Sequence, residues 1–515
     1  MEWESKKALY RSETMLMKLT LPIGYSTFKR KKRKEPTRYY TVEQLLSAAL
    51  VNIKDQCEEI RKKANEIVSG ICRIGSRFTP NCICVQLYED AVDLMPIAMK
   101  KGALFCVTRY PIDGVPCVVT DDPSRVYADM CSLYRRNDIY VTAVVGSIGK
   151  TTTKKMVQSV YGRQENTLCD AGNDNQLDCV GYIGQHIPSK TKFWLQEVSE
   201  DTKGCVEQIS KIIKPNIAII TAIDKSHIEE FGSERGIINE ISSITQYMPE
   251  NGICITSIDE ENTASLIKNR KTITVSMKSW DADFYAINIK SSNYGLQFEI
   301  VERKTQKSYL IHLENVYARH NIYSALYAFA AGVEAGISYD NIIYGLESYK
   351  ATGIRQNVYK ARGITVYADC YNAVAKSVRS AIGAASKIPI SGKRIGVLGD
   401  IAETGEYAKE VHDEIISIVN ESNFDVLIVF GSNICSALSR ANLRQSLRIF
   451  SCDTRAQLNK TVKKIINSGD LVLFKASHSS GLERTLKAVF PIAYARKALE
   501  YLYPLIKWRF VMLFN

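Results

Sequence analysis

Residues 140–156 read YVTAVVGSIGKTTTKKM. The run Tyr140–Val145 is apolar and rich in β-branched residues, so it reads as a buried strand. Gly146 and Gly149 bound a turn, and Lys150 then opens a helix through Thr151, Thr152 and Thr153. Glycines let a backbone turn tightly and aim its N–H groups at phosphate oxygens. The helix behind them adds the positive end of its dipole. A lysine in this place reaches the outer phosphates, and a threonine hydroxyl after it ligates Mg²⁺. The common G-x-x-x-x-G-K-[ST] spacing asks for a glycine at 144, where Val144 stands, so Gly146-Ser147-Ile148-Gly149 is a shorter loop. Strand, glycine loop and helix in succession predict a nucleotide site formed by Lys150, Thr151 and the loop backbone.

Around this unit the apolar runs KFWLQEV, NIAIITAI and GICITSI alternate with helical stretches such as Cys205–Ile213. Strands alternating with helices imply βαβ crossovers and a mostly parallel sheet. Residues 283–313 alternate as antiparallel strands do, and a helix from about Ala318 to Gly336 follows. A later unit carries ITVYADC, RIGVLGD, DVLIVFG and DLVLFKAS, again a doubly wound parallel pattern. Before the nucleotide loop, a helix over 41–70 and the short runs CICVQL, ALFCVT and CVVTDD suggest a small α/β domain. The division expected is a basic extension (1–40), an N-terminal α/β domain (41–138), a central ATP-binding domain (139–350), a C-terminal Rossmann-like domain (351–490) and an apolar, basic tail (491–515).

The whole chain agrees with that division. Its 515 residues exceed one core, and roughly two to four domains are expected. Apolar content of 45% and charged content of 24% belong to an ordinary globular protein. The first twenty residues mix acids and bases with apolar residues and do not read as a signal peptide. Fourteen scattered cysteines, with a C-x-C at Cys82 and Cys84 but no C-x-x-C, point to a reducing cytoplasm rather than to structural zinc. Part of the net charge of +12 is the run KRKKRK at 29–34. It is either a solvated arm or a contact with a membrane surface or protein, and no stacking aromatics or RNA-binding motif argue for nucleic acid. Residues 491–515 are too interrupted by charge to span a membrane and read as a docking or interfacial segment.

Several motifs in order give the chain a resemblance. G-x-x-G-K-T-T at the loop, AGNDNQLDCVGYIGQHI (171–187), LQEVSED, ITAIDKSHIEEFGSERG, ARHNIYSALYAFAAG, TGIRQNVY, YADCYNA, VLGDIAETGEYAKEVH and GDLVLFKASHSSGLE together resemble the Mur ligases, in their MurF-like branch. The likeness runs from about residue 100 to 485. It implies a three-domain fold: a central P-loop parallel-sheet ATPase domain and a C-terminal doubly wound domain. It implies an ATP-dependent, ADP-forming ligase that joins a carboxylate to an amine through an acyl phosphate, here a dipeptide such as D-alanyl-D-alanine onto a UDP-muramyl peptide. The cofactors implied are ATP and Mg²⁺. The catalytic residues implied are Lys150, Glu197 and His227, with Thr151, Glu197 and His227 at metal. Ser147, Thr152, Asn321, Arg355 and Asp369 complete the ATP contacts. Asp400, Glu403, Lys475 and Ser477 face the incoming amine, or else are loop residues of purely structural use.

The departures are as specific as the likeness. The family carries a carbamylated lysine about fourteen residues after its histidine, and Ile241 stands there. No lysine occurs between Lys225 and Lys268. Glu240, next to Ile241, is the nearest substitute, though it points about 100° away on a helix. Ala222 and Ala368 replace a family asparagine and aspartate, and YNANP has become YNAVA. The first domain lacks the D-G-H-x-F stretch that helps hold the uridine nucleotide; YEDAVDLMPIAMKKGA stands there. Two further readings therefore stay open: the same chemistry on another carboxylate, in a cell-envelope or capsular pathway, or a weakly catalytic nucleotide-binding regulator.

Overall fold

The computed structural model describes residues 38–73, 78–87, 93–162, 166–170, 174–223, 228–260, 263, 270–292, 294–351, 353–402 and 404–491. His227, Glu403, the basic run 29–34 and the tail beyond 491 lie outside them.

The expected long helix over 41–70 is broken into three short pieces. The first, Val42–Ala48, starts on a reciprocal cap: Gln44 N–H donates to Thr41 Oγ1, and Thr41 N–H donates to Gln44 Oε1. Leu50 then turns into the left-handed region (φ 58°) and ends it. Asn52 caps a single 3₁₀ turn, Ile53–Asp55, and a four-residue helix follows at Glu58–Arg61. Behind them lies a parallel sheet in the order β1 (Gly70–Arg73), β2 (Cys82–Val85), β3 (Phe105–Thr108), β4 (Cys117–Val119). Cys72, Cys82, Cys84 and Cys106 pack on one face of it as small buried apolar groups, with Phe78 and Met95.

The second sheet has nine strands. In chain order they are β5 (Tyr140–Val145), β6 (Thr167–Cys169), β7 (Phe193–Glu197), β8 (Ile217–Ile220), β9 (Ile253–Ser257), β10 (Lys271–Ser276), β11 (Phe284–Ser292), β12 (Gly295–Glu302) and β13 (Lys307–Glu314). Their spatial order is β13-β12-β11-β10-β9-β8-β5-β7-β6. From β6 to β11 neighbours run parallel, and β11-β12-β13 is an antiparallel meander. From β5 the chain crosses first to the β7 side and then to the β8 side. The carboxyl end of β5 is thus a topological switch point, where such sheets hold ligands.

Period-two alternation divides the strand residues between two cores. Val141, Ala143 and Val145 face one side with Ala218 and Ile220, while Val144, Ile217 and Ile219 face the other. The first of these cores is continuous with that of β1–β3, through Tyr127, Tyr134 and Ile212. The small N-terminal sheet and one face of the central sheet therefore share apolar packing.

The third sheet comprises β14 (Asn357–Ala361), β15 (Ile364–Asp369), β16 (Arg394–Gly399), β17 (Val426–Phe430), β18 (Arg448–Cys452) and β19 (Leu471–Lys475), ordered β14-β15-β19-β16-β17-β18. Only β14 runs antiparallel to its neighbour. Leu427, Val429, Leu471 and Leu473 pack on one face, and Val426, Ile428, Val472 and Phe474 on the other, so helices cover both. Among the described residues no helix is long and apolar enough to cross a membrane.

Candidate active site

The loop after β5 is held by its neighbour strand. Ser147 and Ile148 N–H both donate to Ala222 O, at 3.0 and 3.1 Å. A Cβ on Gly146 (φ 133°) would stand 2.3 Å from Thr221 Oγ1, so that position needs glycine. Gly149 (φ 90°) turns the chain into the helix Lys150–Tyr161. Lys150 Nζ donates back to Gly146 O at 2.5 Å and pairs with Glu200 Oε1 at 2.6 Å. Thr151 Oγ1 donates to Glu197 Oε1 at 3.1 Å, and Asn175 Nδ2 donates to the same oxygen at 3.2 Å. Thr152, one residue on, is hydrogen-bonded to the buried Tyr349. Three segments expected to meet, the loop, the helix start and the end of β7, thus do so.

Sequence reading passed over four charged residues here. Lys154 is 2% exposed and lies between Asp170, to which it donates, and Glu197 Oε2 at 3.2 Å. Asp170 Oδ1 also accepts Glu197 N–H at 3.0 Å. One lysine cannot neutralise two buried carboxylates. Burial pushes Asp170 up to about 7 despite Lys154. Burial pushes Glu197 upward too, but Lys154, Arg355 and Lys150 together hold it below the usual carboxylate range. Burial, with the Arg355 and Lys154 charges, lowers Lys155 to about 8. Glu200 completes the four. The one signal for Lys154 was its spacing, four residues after Lys150 on the same helix face.

The opposite wall belongs to the joint with the third sheet. Asn321 Nδ2 donates to Gln356 Oε1 at 2.8 Å, and Gln356 N–H donates to Asp369 Oδ1 at 3.1 Å. The Arg355 guanidinium lies 3.5 Å from the centre of the Tyr371 ring, whose other neighbour is a stacked His478 at 5.1 Å. Arg355 influences both Glu197 and Lys155 electrostatically, so it belongs with the phosphate-loop cluster.

Of the residues expected to face an amine, Lys475, Asp400 and Ser477 have internal partners. Lys475 is 2% exposed, pairs with Asp369 at 3.3 Å and donates to Asn372 O. Asp400 accepts Ile434 N–H at 2.9 Å and so caps the helix Ser432–Arg440. Ser477 Oγ accepts Ala402 N–H at 2.9 Å. His412 accepts Ile401 N–H on Nε2 and donates from Nδ1 to Ala408 O, which fixes it as a structural residue. Glu240 cannot replace the missing lysine: its two oxygens accept Gly204 and Val206 N–H, at 2.8 and 2.9 Å, capping the helix Cys205–Ile213. Ile241 is fully buried in the apolar core.

Does the cluster suit a magnesium nucleotide? Two buried oxygens of the cluster accept no hydrogen bond, Glu200 Oε2 and Asn321 Oδ1, while Glu197 Oε2 faces Lys154 Nζ at 3.2 Å. An orphaned amide oxygen suits an amino group of a base, and a buried carboxylate that already gathers a threonine hydroxyl suits a hard cation. Among the described residues no three acidic, histidine or cysteine side chains could hold a metal alone. Mg²⁺ takes one or two carboxylates and fills its shell with phosphate and water, and the Thr151–Glu197 pair offers it one carboxylate and a hydroxyl.

Residues 144–332 match the model of the Mur ligase middle domain, and residues 355–478 that of the Mur ligase glutamate ligase domain. The chain is 28% identical to the UDP-N-acetylmuramoyl-tripeptide--D-alanyl-D-alanine ligase of Bacillus subtilis, over 73% of this chain and 82% of that one. It is 25% identical to the Escherichia coli enzyme of the same name, over 86% and 99%. The fold superposes on MurF from Acinetobacter baumannii with a TM-score of 0.75 at 23% identity, covering 88% of this chain and all of the other. On the Thermotoga maritima MurF ligase in complex with ADP the TM-score is 0.71 at 20% identity, covering 82% and 98%.

Proposed function

The chain belongs to the Mur ligase family, and from that premise we propose that it is an ATP-dependent, ADP-forming carboxylate–amine ligase. Its reading is MurF-like: a dipeptide such as D-alanyl-D-alanine is joined to a UDP-muramyl tripeptide. The observation that carries this is the Thr151 hydroxyl on Glu197, beside Lys150, at the carboxyl end of β5.

The acceptor carboxylate attacks the γ-phosphorus, ADP departs, and the acyl phosphate forms. The amine then attacks the acyl carbon, phosphate leaves, and the amine's surplus proton is released with it. Both steps gather negative charge on phosphoryl oxygens, so the protein's part is positioning and charge neutralisation. Lys150 and the N–H groups that open its helix at Thr151 and Thr152, with the Ser147 hydroxyl, face the phosphates, while the Ser147 and Ile148 N–H groups stay on Ala222 O. Asn321 Oδ1 faces the adenine, and Arg355 closes the γ end from the third sheet, with Asp369 fixing the Gln356 backbone behind it. Thr151 and Glu197 would hold Mg²⁺, which would supply Lewis-acid charge there. His227 is proposed as a further metal-side residue by resemblance alone. Asp400, Lys475 and Ser477 shape the loops that face the amine rather than the amine itself. The reaction belongs in the cytoplasm, and residues 29–34 and 491–515 are proposed as peripheral contacts with a membrane surface or a protein.

One sequence feature favours a second acceptor: the uridine-binding stretch of the first domain is replaced by YEDAVDLMPIAMKKGA. Between the first and central units lies a cavity of about 520 Å³, lined by Arg109, Arg125, Lys203 and Lys211 with Asp122 and Glu207. Its mixed charge suits a substrate bearing both signs.

ADP release is the test, measured with candidate acceptors and amines beside Lys150→Ala. Release that needs UDP-muramyl tripeptide and D-alanyl-D-alanine is the expected result, with a loss of at least about a hundredfold in Lys150→Ala. Release only with other acceptors selects the second reading. A Lys150→Ala protein that binds ATP as the parent does removes the site assignment.

A further inference from the structure

Glu200 has no part in the reading above, yet it is the acid closest to the nucleotide lysine. It follows Glu197 by three residues beyond β7 and is 2% exposed. Oε1 holds Lys150 Nζ at 2.6 Å, and Oε2 is buried without a hydrogen bond. The role of Glu200 rests on the ATP reading. When Lys150 turns to the phosphates, Glu200 becomes a buried carboxylate facing further negative charge. Such a group either takes up a proton or is met by another cation.

A cation is also what the missing lysine leaves unassigned. Ile241 offers no ligand, and both oxygens of Glu240 are committed to backbone N–H groups. What Glu240 does is hold Gly204, at the end of the loop that begins with Glu200. The helix Glu234–Ser242, where the family carries its carbamate, here fastens the segment carrying Glu200.

We infer that Glu200 is the carboxylate for a second divalent cation, in place of a carbamylated lysine. Thr151 and Glu197 hold one cation, and Glu200 faces the other. Among the described residues too few ligands converge to hold it alone, so phosphate oxygens and water complete its shell. Its binding therefore needs nucleotide and does not need carbon dioxide.

Mn²⁺ counting tests this on the full chain, by electron paramagnetic resonance of free Mn²⁺ in buffer depleted of carbon dioxide. The probe nucleotide is a non-hydrolysable ATP analogue, whose own binding is scored by calorimetry. The parent is expected to take up two Mn²⁺ per bound analogue. Glu200→Gln should bind the analogue but weaken the second Mn²⁺ by about tenfold or more. Glu200→Asp, which keeps the charge and withdraws the oxygens, should weaken it less, and it decides the matter if Glu200→Gln does not fold. An unchanged second Mn²⁺ in the folded variants overturns the assignment alone, as does a second Mn²⁺ in the parent that appears only with added bicarbonate. A parent that binds no analogue overturns the ATP reading and this assignment with it.

Discussion

Lys154 shows how much a single buried charge organises here. Its ammonium sits between Asp170 and Glu197, and Glu197 in turn receives Thr151 and Asn175. Burial, with the Glu197 charge beside it, pushes Asp170 up to about 7 against Lys154, while Lys154, Arg355 and Lys150 together keep Glu197 low. Lys154→Met would leave both acids buried without that cation. Breaking a buried pair from one side costs about 3–5 kcal/mol. Thermal unfolding should show the loss directly, and a double variant Lys154→Met with Asp170→Leu should recover part of it. A Lys154→Met protein that melts within about 1 °C of the parent would remove Lys154 from this role. In the folded variant Glu197 loses its main lowering charge, so magnesium nucleotide should bind only at higher pH than in the parent.

At the scale of elements, the helix Cys205–Ile213 depends on a cap lent from elsewhere. It begins after Gly204 without a side-chain cap of its own, and Glu240 supplies two acceptors from 34 and 36 residues downstream. Glu240→Ala should cost about 2 kcal/mol in urea unfolding, and hydrogen exchange at Val206 should quicken. Slow exchange at Val206 with unchanged unfolding would contradict the capping role. The same contrast between local and distant partners explains what the sequence made legible. β5, β7, β8, β9, β15, β16, β17 and β19 are continuous apolar runs because they are covered on both faces. β18 (RIFSC) was missed because an edge strand with one buried residue carries no such run. The phosphate loop was readable because its parts are neighbours in the chain. Lys154–Asp170 and Lys150–Glu200 span 16 and 50 residues, and no local pattern announces them. Asp400, Lys475 and Ser477 have the internal partners of braces, the structural use the sequence also left open, since a polar residue at a strand end looks the same whether it faces a substrate or a helix N-terminus.

For the whole molecule, the joint between the central and third sheets matters most, because the ligase class works by closing one on the other. The joint is polar. Asn321 bonds Gln356, Gln356 donates to His320 Nε2 at 2.8 Å, and His320 Nδ1 meets Ser380 Oγ at 2.5 Å. Lys376 reaches across to Glu260 at 3.1 Å. The donor on its Nε2 side means that His320 is neutral and protonated on Nδ1. Burial lowers His320 to about 4, with Lys475 and Lys376 acting the same way and Asp369 opposing. In an unfolded chain the same ring titrates near 6.5. Between those values the unfolded chain binds the proton and the folded one does not, so stability falls as pH drops from about 6.5 toward 4. The ring keeps some contact with solvent, which reduces the effect to about 2 kcal/mol. Urea unfolding of the parent should therefore weaken between pH 7.5 and pH 5 by more than that of His320→Gln. The two proteins should converge at the acid end, since protonation removes from the parent what the substitution removes from the variant. Parallel curves across that range would show that His320 is not the titrating element of the joint, and would leave Lys376–Glu260 to carry its pH response.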